Sequence, residues 1–531
     1  MRTPGAERGW RRAECRCIPG TVAPGRRQSP GFALLAVLVF ILLLSMVTVS
    51  LLFRSRSEET AASASAAGEQ AWLVALSGVQ EALRVAAAAQ SVGDWLDNPT
   101  AFRERTVFED GSDIWRFTVF SPGDSESLTE VRFGLTDEAG RVNLNHPGGA
   151  DLAKIPRLTP ALLRALQFAT GQSNSATTAT APLASEPPAS TPAEGALPDE
   201  PALPSDLAAD VFPADTNAPA FFLTADSRPA GPLTSLEDLL RVPGFTWPLL
   251  FGEDANRNGR LDPNEDDGDE NFPPDNKDGR LDHGMAQYFT VAAYDPERTS
   301  AGKLKVDLNN PAEVLPAGVS ELPPAFTNYV AALRTAKTKL THPADVLEAS
   351  VKVKNEQGQE IEVASGITKE ELPRVLDLFA AEWTGHREGL INVNTASSIV
   401  LATLPGVDLT VAESIVSARA SLRPEQRQTI AWLLTEGLVD SDSFKRLAPH
   451  LTAQSYQFSF HVIGYGLPSG RYRVLEATVD VAGAEPKLTG LRDITRLGIP
   501  FKLQSETLEK PAEGAVYFRP NIFPSRPRHH G

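Results

Sequence analysis

One stretch constrains this chain more than any other: FALLAVLVFILLLSMVTVSLLF, Phe32 to Phe53, which carries no charged residue. About 22 residues at 1.5 Å each make roughly 33 Å of helix, the length needed to cross a bilayer. Arg2, Arg8, Arg11, Arg12, Arg16, Arg26 and Arg27 precede it against only Glu7 and Glu14, so the positive-inside bias keeps this leader cytoplasmic and places the body across the membrane. Arg54 and Arg56 weaken the asymmetry without reversing it. The run ends in FRSRSEE rather than in small residues, which disfavours a secretory signal cut after its apolar core.

The remainder is long enough for two to four domains in a chain of 531 residues. A formal net charge of -17 argues against a surface that tracks nucleic-acid phosphates and makes cations the plausible partners. The only cysteines, Cys15 and Cys17, lie before the apolar run, so no disulfide framework holds the body.

Beyond the span, residues 55 to 92 predict a continuing helix, with Trp72, Ala75, Leu76, Val79, Leu83 and Ala86 at steps of three and four. Strands are predicted at 114–120 and 130–137, and again near the other end at 457–466, 471–481 and 491–498. Sheets need several strands, so the early and late groups are expected to share one sheet, with the roughly 300 residues between them forming an insertion. Within that insertion, 172–219 is dominated by Ala, Pro, Ser, Thr and Asp and predicts a disordered loop. Helices are predicted at Leu158 to Phe168, Leu236 to Arg241, Tyr329 to Thr335, Lys369 to Phe379, Ser397 to Leu404 and Val411 to Arg419. VNLN (142–145), VDLNNP (306–311) and INVNTAS (391–397) form a weak repeat whose asparagines suit turns and helix N-caps.

The strongest chemical motif is DANRNGRLDPNE. Asp254, Asn256, Asn258, Asp262 and Glu265 stand at positions 1, 3, 5, 9 and 12 of a calcium loop, with Gly259 at 6 and the Arg260 carbonyl at 7. Hard Ca²⁺ takes six to eight oxygens, and these residues supply oxygens only. Pro263, Pro273 and Pro274 argue against the usual exiting helix, so a calcium loop without a true EF-hand is expected. PDNKDGRLD repeats the core with Asn276, Asp278 and Asp282, yet Pro274 and Met285 occupy its first and last ligand positions; Asp266, Asp267, Asp269 or Asp275 are the candidate substitutes. LINVNTASSIVLATLPGVDLTVAESIVSAR has the spacing of a helix-hairpin-helix. Asp408 stands where backbone-gripping hairpins want glycine, which favours a structural module over DNA binding. No nucleophile elbow, phosphate loop or HExxH string occurs, so the chain reads as a non-enzyme.

The basic leader RRQSPGF, with Gly31 directly before Phe32, resembles a type IV prepilin leader, and Ala36 stands where ordinary pilins carry a glutamate. LTDEAGRVNLN, LTSLEDLLRVPG and LINVNTASSIVLATLPG, in that order, are similar to strings of the K-type minor pseudopilins of type II secretion systems, the GspK family. The resemblance implies cleavage by prepilin peptidase between Gly31 and Phe32. It also implies an α+β fold of spine helix and sheet with a mainly helical, SAM-like or helix-hairpin-helix-like insertion. The implied position is the tip of a periplasmic pseudopilus on the inner membrane, beside other minor pseudopilins and the secretion platform, with calcium as structural cofactor and no nucleic acid. The expected organisation is a leader to residue 31, a membrane helix over 32–54, spine and first strands over 55–150, the insertion over 151–455 with its calcium segment at 254–282, closing strands over 456–500, and a tail. A type IV minor pilin and a tethered DNA-uptake receptor are the alternatives.

Overall fold

The computed structural model describes residues 30–498 apart from positions 90, 112, 124–130, 172–231, 258, 260, 355–358 and 383–384. The predicted disordered loop at 172–219 lies outside the described residues. One helix, α1 (Pro30–Ala88), contains the apolar run, and among the described residues it alone is long and apolar enough to cross a membrane. The chain divides into two compact units at Ala66/Ala67. In the first, every large apolar side chain from Leu34 to Phe53 is exposed.

In the second unit the helix buries Ala71, Val74, Ala75, Val79, Ala82 and Ala86. This stripe is rotated from the predicted one: Trp72, Leu76 and Leu83 sit half-buried at its flanks. Small residues face the sheet because the backbones meet closely. A Cβ on Gly464 would lie 2.3 Å from the Ala71 carbonyl oxygen.

The sheet is antiparallel, in the order β1 (Arg105–Glu109), β2 (Ile114–Pro122), β3 (Gln457–Leu467), β4 (Arg471–Asp480), β5 (Lys487–Asp493). Its central pairing joins the early and late strands, His461 opposite Phe120 through Leu467 opposite Ile114. Period-two alternation divides β3 between two cores. Phe458, Phe460 and Val462 pack with α1, Trp115 and Phe117, while Ile463 and Tyr465 pack on the other face with Phe120, Val474 and Ile494. The predicted strand at 130–137 is instead two short pieces, Val131–Arg132 on β2 and Thr136–Asp137 on β3. The last predicted strand lies earlier, as β5, and its predicted end is a 3-10 turn, Thr495–Leu497. β1 escaped the sequence reading because it is an exposed edge with a bulge between Thr106 and Phe108, and so lacks a buried face to write a pattern.

Between β2 and β3 the chain builds a separate apolar cluster around Leu239, Phe326, Phe379, Val393, Trp432 and Phe444. The predicted helices are present as α2 (Pro160–Ala169), α3 (Pro324–Ala336), α4 (Leu372–Leu378), α5 (Ser398–Ala402) and α6 (Leu409–Ser421), with Leu236–Arg241 as 3-10 helix. The three asparagine motifs each contribute a two-residue strand with a parallel partner: Val142–Asn143 with Phe289–Thr290, Val306–Asp307 with Phe379–Ala380, Ile391–Asn392 with Leu451–Thr452. In each, the first side chain turns the chain, as Asn143 does by accepting from the Asn145 amide. The second side chain does not cap a helix. Asn145 donates to the Leu233 and Val291 carbonyls, Asn309 to Leu340 and Ala381, and Asn394 to Arg427 and Ala453. These amides are pegs that satisfy backbone groups of distant segments, a task for which the two donors of a carboxamide suffice.

Candidate metal centre

A short helix, Trp247–Phe251, ends at Gly252, whose φ is 69°. A Cβ there would lie 1.9 Å from the Asp282 carbonyl oxygen, so only glycine fits. The Glu253 amide donates to that carbonyl at 2.9 Å and the Met285 amide to the Leu249 carbonyl at 3.1 Å, which closes the base of the segment 254–282. Among the described residues of this segment there is no α-helix, and the next regular element is the 3-10 turn Ala286–Tyr288.

Within the first loop the Glu265 carboxylate is fully buried and braces both sides, accepting from the amides of Ala255 (2.8 Å) and Asp262 (3.0 Å). Asp254 accepts from the Gly259 amide at 2.9 Å, and the Asn256 amide donates to the Asp262 carboxylate at 2.6 Å. Four of the six predicted ligands, Asp254, Asn256, Asp262 and Glu265, are thus folded around one loop. Asn258 and the Arg260 carbonyl lie outside the described residues.

The second loop repeats the first at two backbone positions. Arg257 and Gly259 take φ of 56° and 72°, and their counterparts twenty positions later, Lys277 and Gly279, take 55° and 73°. At the end positions where the motif has Pro274 and Met285, acids from the flanks of the first loop make the corresponding bonds. Asp266 accepts from the Gly279 amide at 3.1 Å, as Asp254 does from Gly259. Glu253 accepts from the Asn276 and Asp282 amides at 3.3 and 3.2 Å, much as Glu265 braces its own loop. Asp266 was among the sequence candidates. Glu253 was not, because it precedes the motif and reaches the second loop only through the closed base. Asn276 and Asp278 bond to one another, and Asp282 forms an ion pair with Arg157 that competes for its carboxylate.

Burial pushes the carboxyls of Glu253 and Glu265 up to about 7. Amide donors oppose the shift, while Asp282 and Asp275 reinforce it for Glu253, and Asp254 and Asp262 do so for Glu265. Each loop therefore holds a buried carboxyl among other acids, and among the described residues no ion pair to a cationic side chain involves Glu253 or Glu265. The acids are braced by amides rather than gathered into a cage: among the described residues no group of three His, Cys, Asp or Glu is arranged to hold a metal ion.

Of the other sequence candidates, Gly31 and Phe32 fall in the first turn of α1. In the hairpin between α5 and α6, Asp408 caps α6 by accepting from the Val411 amide at 2.8 Å. The turn carbonyls of Ala402 and Val407 accept from the Lys154 ammonium at 2.6 and 3.0 Å. No family model matches the chain, and no curated protein matches it either.

Proposed function

We propose that this chain is a minor pseudopilin of a type II secretion system, anchored in the inner membrane with its body in the periplasm. In this role it sits at the tip of the pseudopilus and supports export without catalysing a reaction. The observation that carries the reading is the chain's route. A single helix leads from an apolar run through Ala67–Ala86, packs there against a sheet, and that sheet is completed by strands from both ends of the body. Combined with the RRQSPGF leader and Ala36, this suits a subunit that stacks by its helix and has no carboxylate to meet a further neighbour.

Calcium fits the 254–282 segment as its structural ion. The donors are all oxygens, two buried carboxyls are already braced, and the two loops match at two left-handed backbone positions. Asp254, Asn256, Asn258, the Arg260 carbonyl, Asp262 and Glu265 would hold one ion. Asn276, Asp278 and Asp282, with Glu253 and Asp266, would hold a second. A bound cation would neutralise acids whose burial otherwise favours protonation, and binding only to the folded form stabilises it by mass action.

The test of the pseudopilin assignment is the N-terminus of the mature protein, read by mass spectrometry of membranes from cells that carry prepilin peptidase. The expected first residue is Phe32, and Gly31→Arg should retain the leader. A mature chain beginning after Phe53 would overturn the assignment.

A further inference from the structure

The apolar cluster of the helical body and those of the sheet are separate, and a cleft of about 550 Å³ with many polar side chains in its lining runs between them. Four charged side chains bridge it. Arg257, inside the first calcium loop, donates to Glu237 of the helical body at 2.7 Å and to Glu476 of β4 at 3.0 Å. Arg492 of β5 donates to the same two carboxylates, at 2.8 Å to Glu237 and at 2.8 Å through Nε to Glu476. The Arg257 guanidinium also lies 4.8 Å over the Phe251 ring. Burial alone would raise the Glu237 carboxyl, yet the two guanidiniums hold it down at about 2. His461, buried beside Glu476, is pushed down to about 4 by its burial and by Arg257 and Arg492, against the pull of Glu476, so at neutral pH it adds no charge. The network is two acids against two arginines, and the arginine side chains that complete it come from the loop and from β5.

We propose that Arg257 is a positioning residue through which a cation in the 254–265 loop tightens the helical body against β4 and β5. The inference rests on the calcium reading given above. Arg257 stands between two ligand positions, Asn256 and Asn258, and its backbone is held at a left-handed φ that a non-glycine residue adopts only when its surroundings impose it. A cation that fixes the oxygens on either side fixes that backbone and aims the guanidinium across the cleft. Coupling of this kind is reciprocal: if the ion strengthens the bridge, the intact bridge strengthens ion binding.

Full-length protein in detergent, stripped with chelator, is titrated with CaCl₂ by calorimetry, and hydrogen exchange of β4 and β5 is followed with and without the ion. The parent should bind calcium and gain protection in both strands. Glu476→Gln, a neutral near-isostere on the strand, should weaken binding about five- to tenfold and lose that gain, within the usual range of couplings. Arg257→Gln gives the sharper sign. Removing a positive charge beside a cation should tighten binding if only Coulomb repulsion acts, whereas loss of the bridge should weaken it, with Arg257→Lys intermediate. If the parent binds but Arg257→Gln and Glu476→Gln bind as tightly or more tightly, the coupling is refuted while the calcium reading stands. If the parent itself binds no calcium, both are refuted.

Discussion

Replacing Gly464 by alanine tests the packing on which the whole architecture depends. The added Cβ would lie 2.3 Å from the Ala71 carbonyl oxygen and 2.4 Å from the Ala75 nitrogen, both backbone atoms of α1 that no rotamer change can move. Ordinary contact needs about 1 Å more, so the helix must lift from β3 across the stripe of Ala71, Val74, Ala75 and Val79, each at most 1% exposed. Overpacking a rigid core costs about 3 kcal/mol, and at about 2.1 cal/mol/K of unfolding entropy per residue a folded body of roughly 400 residues loses about 3–4 °C in Tm. Two other strand glycines calibrate the argument. At Gly466 the nearest atoms are those of the Trp115 ring at 3.0 Å, so alanine should cost about 1 kcal/mol. At Gly490 nothing approaches closer than 3.4 Å, and alanine should be neutral or should stabilise by up to about 1 kcal/mol through the lost backbone freedom of glycine. Thermal unfolding of the three variants in the same detergent, followed by circular dichroism, should rank them 464, 466, 490. Equal melting temperatures for Gly464→Ala and Gly490→Ala would refute the close helix–sheet contact.

Two further outcomes follow from charge. With calcium about a hundredfold above its Kd, mass action adds about 2.7 kcal/mol to the parent, a rise of several degrees in Tm; Asp254→Ala with Glu265→Ala should abolish most of that rise, and a parent whose melting ignores chelator would remove the metal assignment. Asp137 is buried beneath the Asn392, Thr395, Ser455 and Ala139 donors, and burial outweighs them to push its carboxyl from 3.8 up to about 6. The folded state therefore keeps this proton longer than the unfolded one, so the contribution is full below pH 3.8 and is lost as pH rises to about 6, roughly 3 kcal/mol in all. Glu253 and Glu265, raised to about 7, give both proteins a decline in the same window, so denaturant unfolding across pH 4 to 7 should show the parent losing roughly 3 kcal/mol more than Asp137→Asn, and parallel curves would contradict the assignment.

Much of this was legible because it was written in periodicity. The long helix, β2, β3 and β4 have two faces with different surroundings, and their alternation survives in the sequence. What the pattern concealed was the exact face of α1, since Ala71 and Ala82 carry less apolar signal than Trp72 or Leu83 although the small residues are the ones that let the sheet approach. The hairpin Ser350–Lys354 with Glu360–Ala364 does alternate, as SVKVK and EIEVA, and was legible although it is largely exposed. At the candidate metal centre the motif located the first loop, but Glu253 entered the second only through the contact of Gly252 with Asp282, a tertiary fact that no local spacing contains. The asparagine repeat was visible as a string; its role as a set of pegs depends on carbonyls 31 to 146 residues away and could not be.

The pairing of β2 with β3 also sets a timetable. The two strands are separated by 334 residues, from Pro122 to Gln457, so at 5–20 residues per second a ribosome needs about 17–67 s to deliver the second after the first. Until then Trp115, Phe117 and the inner stripe of the helix have no complete sheet to cover them, and unpaired strand edges with exposed apolar surface invite aggregation. The intervening body has its own core and can fold within that interval, bringing its two ends together before the sheet closes. An export or chaperone step that shelters the early strands during this delay would matter more for the yield of this protein than the stability of the finished fold.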